Sequence, residues 1–239
     1  MQKGISTMFK RGKKKQTDSK MRHLITQLNP RSPISEQFRT IRTNIQFSAV
    51  DDKIQSIIIT SAGPGAGKSI TAANLAVVYA QQGMKTLLID ADLRKPTVHY
   101  TFRLGNLRGL SNVLIGEATL EEAIEHGSVD NLDILPCGPI PPNPAELLAS
   151  NKMKQLLEYA KQTYDFIVID TPPVLAVADA KILSQIVDGT IFVVRSGITE
   201  KEDVQKAYEL LDDGKAKILG AVLNDVDKKE GAYYYYYGN

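Results

Sequence analysis

Residues 57–69 read IIITSAGPGAGKS, an apolar run followed by a glycine-rich segment that ends in Lys-Ser. The apolar run predicts a buried strand, and the segment 71–80, rich in Ala, Leu and Val, predicts a helix. The glycines therefore lie in a strand-to-helix turn, which is the context of a phosphate-binding loop. A glycine-rich connector with a surface lysine would explain neither the strand before it nor the helix after it.

The residue types in this turn suit a polyphosphate. Gly65 and Gly67 allow backbone angles and close approach that a Cβ would block, and the helix N-terminus adds partial positive charge. Lys68 is placed to reach the β- and γ-phosphates, and the Ser69 hydroxyl to coordinate Mg²⁺. Ala62 stands where the motif usually has its first Gly, a mild change between small residues. The predicted nucleotide-binding residues of the loop are Gly63, Pro64, Gly65, Ala66, Gly67, Lys68, Ser69 and Ile70.

The composition fits a cytoplasmic α/β protein. With 239 residues, 43% of them hydrophobic, the chain can bury one substantial core. No run approaches the roughly 18 consecutive apolar residues of a membrane span, and no apolar segment of a signal peptide follows the basic start. The single cysteine, Cys137, cannot form an internal disulfide. The three histidines lack metal-ligand spacing.

Charge is distributed unevenly along the chain. Residues 1–29 hold eight Lys and Arg against one Asp, whereas the whole chain has a net charge of only +2. The remaining body is mildly acidic, which argues against nucleic acid as a partner. Residues 1–29 lack apolar periodicity and are predicted to form a flexible basic arm. The arm either sits near anionic lipid, at about 1 kcal/mol per basic residue, or is a solvated tail, and the sequence does not distinguish the two.

Strand and helix patterns alternate along the rest of the chain. Strands are predicted over 86–89, 131–135, 165–170, 190–194 and 217–222, and helices over 145–164 and 200–211, with a helical pattern over 109–126. A proline-rich segment at 136–144 breaks all regular structure. This alternation predicts an α/β fold with one doubly wound, mainly parallel sheet.

Three aspartates come at the ends of predicted strands. Asp90 and Asp92 follow the strand at 86–89, and Asp170 ends the apolar run FIVID. Ligands of open parallel sheets bind beyond the carboxyl ends of the strands, so these carboxylates should point into the same crevice as the phosphate loop. Asp170 matches the second acidic motif of phosphate-loop NTPases, whose carboxylate holds Mg²⁺. A surface turn is the alternative for the Asp90 and Asp92 pair, although a turn needs only one such residue.

An amphipathic helix is predicted to begin near Ser32 or Ser35, with Phe38, Ile41, Ile45 and Ala49 on one face. On the opposite side, three charged residues recur every third position, namely Glu36, Arg39 and Arg42. They either pair with a neighbouring subunit or form an intrahelical ladder of small energetic value. Spacing alone favours the ladder.

The C-terminus carries five consecutive tyrosines, half of the ten in the chain. They cannot all be buried on one face of a helix or strand. The segment is either a sticky low-complexity tail or, in a chain that binds a nucleotide, a set of phosphoryl acceptors. The candidate acceptors are Tyr233, Tyr234, Tyr235, Tyr236 and Tyr237.

These motifs together resemble the bacterial tyrosine kinases, cytoplasmic enzymes that regulate capsule and exopolysaccharide synthesis. The resemblance lies in the phosphate loop at 62–69, LLIDADLR at 87–94, DTPP at 170–173, the Glu36-x-x-Arg39-x-x-Arg42 spacing and the tyrosine tail. It implies a kinase domain of the phosphate-loop NTPase fold over residues 30–228 and a tail over 229–239. The parent MinD and ParA-like ATPases carry a second lysine early in the phosphate loop, where this chain has Gly63.

The resemblance implies transfer of the ATP γ-phosphoryl group to a tyrosine hydroxyl, with Mg²⁺ as cofactor. Backbone N–H groups of residues 65–70 would hold the phosphates, and Lys68 would offset charge on the transferred group. Asp92 would accept or orient the phenol proton, although Asp90 and Asp92 could exchange roles. The implied metal ligands are Ser69, Asp90 and Asp170. Asn224 is the implied adenine-recognising residue, and Arg94 is carried only as a member of the motif.

The resemblance further implies a ring-like homo-oligomer in which the tail of one subunit enters the site of another, with Glu36, Arg39 and Arg42 at the interface. The implied partners are a transmembrane activator of the polysaccharide export system, which recruits the chain to the inner face of the membrane, a cognate tyrosine phosphatase and exogenous protein substrates. Two other functions stay open, a MinD or ParA-like ATPase acting as a positioning switch and a non-catalytic nucleotide-binding adaptor. Gly63 and the tyrosine tail argue against the ATPase.

Overall fold

The strands of the computed structural model form one sheet, and the structure describes residues 24–48 and 53–226. The strand order is β3-β4-β2-β5-β1-β6-β7, and every pairing is parallel except that between β3 and β4. The strands are β1 Ser56–Ser61, β2 Thr86–Asp90, β3 Glu125–His126, β4 Leu132–Leu135, β5 Phe166–Asp170, β6 Gly189–Arg195 and β7 Ile218–Asn224.

Helices cover both faces of this sheet. They are α1 Ile25–Leu28, α2 Pro33–Phe47, α3 Lys68–Ala80, α4 Val98–Phe102, α5 Leu110–Ile115, α6 Leu120–Ala123, α7 Pro144–Leu148, α8 Asn151–Thr163, α9 Asp179–Ser184 and α10 Lys201–Asp213. Alternate residues of β1 enter different cores, Ile57 and Ile59 on the α3 side and Ile58 on the α8 side. A strand buried on both faces reads as a continuous apolar run, which is why IIIT could be assigned from sequence. The prediction of a doubly wound, mainly parallel sheet is confirmed.

The strand order brings the predicted site residues to one edge of the sheet. β1 lies inside the sheet and pairs with β5 on one side and β6 on the other, while β2 lies beyond β5. In the ladder between β2 and β5, Asp90 is the direct partner of Asp170. The phosphate loop leaves the same end of β1, so the loop and both aspartates share the carboxyl edge of the sheet.

The helix at the start of the described chain follows the sequence pattern. Ser32 caps α2, because its Oγ accepts the N–H of Ser35 at 3.1 Å, and Pro33 occupies the first helical position. The predicted apolar face is confirmed for Ile45, which is buried, and for Phe38 and Ile41, which pack against the same core. Ala49 lies outside the described residues.

Apart from shifts of one to three residues at the ends of other elements, three predicted segments differ from the structure. The predicted helix over 145–164 is two helices, since α7 ends at Leu148 with Ala149 as its C-cap, and Ser150 caps α8 by accepting the N–H of Met153. The helical pattern over 109–126 divides into α5, α6 and the short strand β3, with Gly116 at a φ of 83° closing α5.

The third difference concerns residues 24–29, which were assigned to the basic arm. Leu24 is buried, and the N–H and Oγ1 of Thr26 donate to Asn74 Oδ1 at 3.0 and 2.8 Å, so this segment folds against α3. Residues 1–23 of the predicted arm lie outside the described residues. The same holds for residues 227–239, which include Tyr233, Tyr234, Tyr235, Tyr236 and Tyr237.

Candidate active site

The phosphate loop connects β1 to α3, as predicted. Gly65 and Gly67 have φ angles of +80° and +94°, in the left-handed region that favours glycine, and Gly67 is the N-cap of α3. The Nδ2 of Asn224, at the end of β7, donates to the carbonyl oxygen of Ala66 at 3.0 Å. Asn224 therefore lies against the loop, next to the place where a nucleotide held by the loop would sit.

Lys68 lies among the oxygen atoms of the site. Its Nζ donates to Asp92 Oδ2 at 3.1 Å and to Ser69 Oγ at 3.3 Å, and it is 3.7 Å from Asp170 Oδ1. Burial of the ammonium acts to lower the pKa of Lys68, but the Asp170 and Asp92 carboxylates outweigh that effect and raise it above its usual value. Lys68 is therefore a fixed positive charge at the carboxyl edge of the sheet.

Asp90 is fully buried and holds the loop that follows β2. Its Oδ2 accepts the N–H groups of Thr97 and Val98 at 3.0 and 2.9 Å, and its Oδ1 accepts the N–H of Asp92 at 3.3 Å. Burial, and then the nearby charge of Asp170, raise the pKa of Asp90 to about 7. The hydrogen bonds from the backbone N–H groups of Val98 and Thr97 act in the opposite direction, because they favour the ionised form. Asp90 thus lies close to the Asp170 and Asp92 carboxylates and also anchors the start of α4.

The donor set suits Mg²⁺ only together with phosphate oxygens. Within residues 24–48 and 53–226, no group of three or more His, Cys, Asp or Glu side chains is arranged as a metal site. The hydroxyl of Ser69 and the carboxylates of Asp92 and Asp170 already surround a cation, the Lys68 ammonium. Oxygen ligands of this kind match Mg²⁺, which typically takes one or two carboxylates and completes its shell with water and substrate phosphates.

Comparisons with known proteins agree with this geometry. Residues 54–212 match the family described as AAA domain. The chain is 54% identical over 217 residues to the tyrosine-protein kinase YwqD of Bacillus subtilis, covering 91% of this chain and 92% of that protein. The chain belongs to the bacterial tyrosine kinases.

Comparison with solved structures separates a likeness to kinases from a likeness to MinD-like ATPases. The chimerical protein CapA2B2 superposes with a TM-score of 0.83 at 49% identity, covering 86% of this chain and 90% of that one. The cell division ATPase MinD of Pyrococcus furiosus superposes less closely, with a TM-score of 0.62 at 30% identity over 72% of each chain. The kinase domain of the Escherichia coli tyrosine kinase ETK superposes with a TM-score of 0.84 at 36% identity, covering 92% of this chain and 86% of that one. The chain therefore shares the MinD-like fold, and its likeness to a kinase structure is greater than its likeness to MinD. None of its described helices combines the length and apolarity required to cross a bilayer.

The charged residues of α2 make contacts within the kinase chain itself. Arg39 forms an ion pair with Glu36 three residues earlier, the intrahelical alternative considered from the sequence. Arg42 Nη1 donates to the carbonyl oxygen of Val78 at 2.9 Å and so links α2 to α3. A role of these residues between subunits remains a prediction.

Two site contacts of the tyrosine kinase were not found from the sequence. Arg94, noted only as a motif member, forms a bidentate ion pair with Asp179. The backbone N–H groups of Thr97 and Val98 donate to Asp90. Asp179 is 85 residues from Arg94 and stands in no recognisable motif, so no local signal could have joined them. The Asp-Leu-Arg order after β2 was the one signal that marked Arg94.

A substitution at Gly67 tests whether the loop geometry holds a nucleotide. A Cβ at Gly67 would require a strained left-handed φ and would collide with the Asn224 amide. We expect Gly67→Ala to weaken binding of a fluorescent ADP analogue by about tenfold or more, measured by anisotropy titration with Mg²⁺. Gly105→Ala is the control, because Gly105 does not have a left-handed φ and the nearest atom to the new Cβ would be Glu125 Oε1, at 3.7 Å. Equal affinities of the two variants would contradict the expectation.

Proposed function

We propose that this tyrosine kinase transfers the ATP γ-phosphoryl group to its own C-terminal tyrosines, with the tail of one subunit entering the site of another. The observation that carries the proposal is the contact of Lys68 Nζ with Asp92 Oδ2, at 3.1 Å, and with Asp170 Oδ1, at 3.7 Å, at the point where the phosphate loop enters α3. A fixed cation and carboxylates beside a loop of backbone donors are the parts that phosphoryl transfer requires.

The proposed roles follow from these positions. Backbone N–H groups of residues 65–70 bind the phosphates, and Asn224 contacts the adenine. Lys68 offsets the charge that develops on the transferred group. Mg²⁺, held by Ser69, Asp170 and, in part through water, Asp90, would neutralise charge on the β- and γ-phosphate oxygens.

The acceptor step uses Asp92. The phenol oxygen of a tail tyrosine bonds to the γ-phosphorus as the bond from that phosphorus to the β,γ-bridging oxygen breaks, which releases ADP. Asp92 accepts the phenol proton through the carboxylate that Lys68 now contacts. Phosphate on the tail adds about −1.5 to −2 charges per tyrosine, and we propose that this repulsion loosens the oligomer.

The wider setting of the kinase is also a proposal. The resemblance to kinases of capsule and exopolysaccharide systems supports a transmembrane activator that recruits the chain to the inner face of the membrane, a cognate phosphatase and exogenous protein substrates. It also supports a ring-like homo-oligomer with Glu36, Arg39 and Arg42 at the interface. Residues 30–239 carry a net negative charge, which argues against nucleic acid as a partner.

Mixing two variants tests transfer between subunits. One variant has an intact site and lacks residues 229–239, and the other keeps the tail and carries Lys68→Met. We expect Mg-ATP to place phosphate on the tail of the Lys68→Met chain, detected by mass spectrometry of its C-terminal peptide. The reaction is run with and without the cytoplasmic segment of a candidate membrane activator.

Each chain alone is the control and should give no labelled tail. An unlabelled Lys68→Met tail in the mixture, under conditions in which the intact chain labels itself, would contradict transfer between subunits. Tail labelling of the Lys68→Met chain by itself would contradict the assigned site.

A further inference from the structure

Arg94 and Asp179 form an ion pair at the edge of the active site. Arg94 Nε and Nη2 donate to Asp179 Oδ2 and Oδ1 at 3.0 and 3.1 Å. The Asp179 side chain is fully buried, whereas the Arg94 side chain is 38% exposed. This bidentate geometry fixes the guanidinium plane against the carboxylate, which a single hydrogen bond from lysine could not do.

The two ends of this pair belong to the two segments that carry the site carboxylates. Arg94 lies two residues after Asp92, in the loop between β2 and α4. Asp179 is the first residue of α9, which follows β5 and Asp170 by way of residues 171–178. The ion pair therefore ties the loop that carries Asp92 to the segment that follows Asp170.

The same loop fixes the direction of the Asp92 carboxylate. Asp92 Oδ1 accepts the N–H of Lys95 at 3.0 Å and the N–H of Arg94, more weakly, at 3.4 Å. Its Oδ2 faces Lys68 Nζ at 3.1 Å. One oxygen of Asp92 is thus bound by the backbone that Arg94 anchors, and the other is presented to the site.

We propose that the Arg94–Asp179 pair is a positioning clamp, which holds the Asp92 carboxylate at its distance from Lys68 and Asp170 during phosphoryl transfer. The inference rests on the proposed function, because Asp92 matters only if the site performs that transfer. Releasing the clamp lets the loop over 91–97 shift, and displacement of a reacting group by about 1 Å can cost as much as 10²-fold in rate. Binding of ATP depends on the phosphate loop, which the clamp does not touch.

The test is a double-mutant cycle in the full chain, using Arg94→Gln, Asp179→Asn and both together. The rate of autophosphorylation at saturating Mg-ATP should fall about 10- to 100-fold in each single variant. The Mg-ATP concentration that gives half the maximal rate should change by less than about threefold, since the clamp acts on positioning and not on binding. The double variant should be no slower than the slower single variant, because both changes break one link.

Arg94→Lys is included because it keeps the positive charge that faces Asp179 and loses only the bidentate hydrogen bonding of the guanidinium group. Its rate should fall by about tenfold while its urea midpoint stays near that of the original chain. Hydrogen exchange without nucleotide gives a second readout. Amides of residues 91–97 should exchange faster in Asp179→Asn, and those of residues 65–70 should keep their original rates.

Asp188→Asn is the matched control for a general loss of stability. Asp188 pairs with Lys161 at 2.9 Å and accepts the N–H groups of Gln55 and Ser56, at the opposite edge of the sheet from the site. This variant should lower the urea midpoint and leave the rate per folded molecule unchanged.

Two results would overturn the clamp. One is an original chain that forms phosphotyrosine while Asp179→Asn and Arg94→Lys keep rates within about twofold of it. The other is a fall in the autophosphorylation rate of the Arg94 variants that greatly exceeds the fall in Asp179→Asn. That result would mean that Arg94 itself contacts the substrate. If the original chain forms no phosphotyrosine at all, the proposed function fails first and separately.

Discussion

Replacing Lys68 by methionine is expected to reduce the rate of phosphotyrosine formation by about 10³-fold or more, comparable to removing the arginine that stabilises the transferred group in other phosphoryl-transfer enzymes. Lys68 is a fixed positive charge in the first turn of α3, with Asp92 and Asp170 around it, and under the proposed function it offsets the charge on the transferred group. Methionine keeps much of the length of the side chain and removes the charge. The measurement is the initial rate of phosphotyrosine formation with Mg-ATP.

Lys154→Met is the matched control, because Lys154 is an exposed residue of α8 with no contact to the site cluster. It should keep the original rate. Urea denaturation of both variants separates a catalytic loss from a loss of folded protein. A Lys68→Met chain that retains more than about a tenth of the rate would show that this ammonium is not the main source of charge neutralisation.

Replacing Asp92 by asparagine is expected to lower the same rate by about 10²- to 10³-fold, within the range for removal of a general base. The amide keeps the shape of the side chain and can still accept the N–H of Lys95, but it cannot accept a proton from the phenol. Binding of the fluorescent ADP analogue should change little, because the glycines and backbone N–H groups of the phosphate loop are unchanged. The loss should therefore lie in the rate at saturating Mg-ATP.

Asp212→Asn provides the same chemical change at an exposed position of α10 and should have no effect. Asp90→Asn tests the alternative in which Asp90 and Asp92 exchange roles. Asp90 also accepts hydrogen bonds from the N–H groups of Thr97 and Val98, so its replacement should lower the urea midpoint. This effect is not expected for Asp92→Asn. If Asp92→Asn retains the original rate, Asp92 is not the group that receives the proton.

The parts of the site that follow from short local patterns were predictable. The apolar run of β1, the glycines at 65 and 67 and the first turn of α3 are consecutive in sequence, and their geometry is set by backbone preferences. Asp90 and Asp170 were placed together because parallel strands deliver their carboxyl ends to one edge, and the ladder between β2 and β5 makes them direct partners.

The parts that depend on contacts between distant segments were not predictable. Asp179 binds Arg94 across 85 residues, and Thr26 binds Asn74 across 48, and neither pair leaves a periodic signal. The division of residues 145–164 into two helices was missed, although Ser150 is a typical capping residue and the buried Leu148 and Met153 are five residues apart, which interrupts helical spacing. The ion pair of Glu36 with Arg39 shows the opposite case, since a spacing of three residues was sufficient to suggest it.

The most direct test of the account is the balance of products from Mg-ATP. The intact chain, with its activator segment where required, is incubated with labelled ATP, and ADP, phosphotyrosine and inorganic phosphate are quantified together over the first turnovers. We expect one phosphotyrosine on the chain for each ADP formed, with little inorganic phosphate, and loss of both products in Lys68→Met. ADP matched by inorganic phosphate with no phosphotyrosine would show an ATPase in place of a kinase and would contradict it.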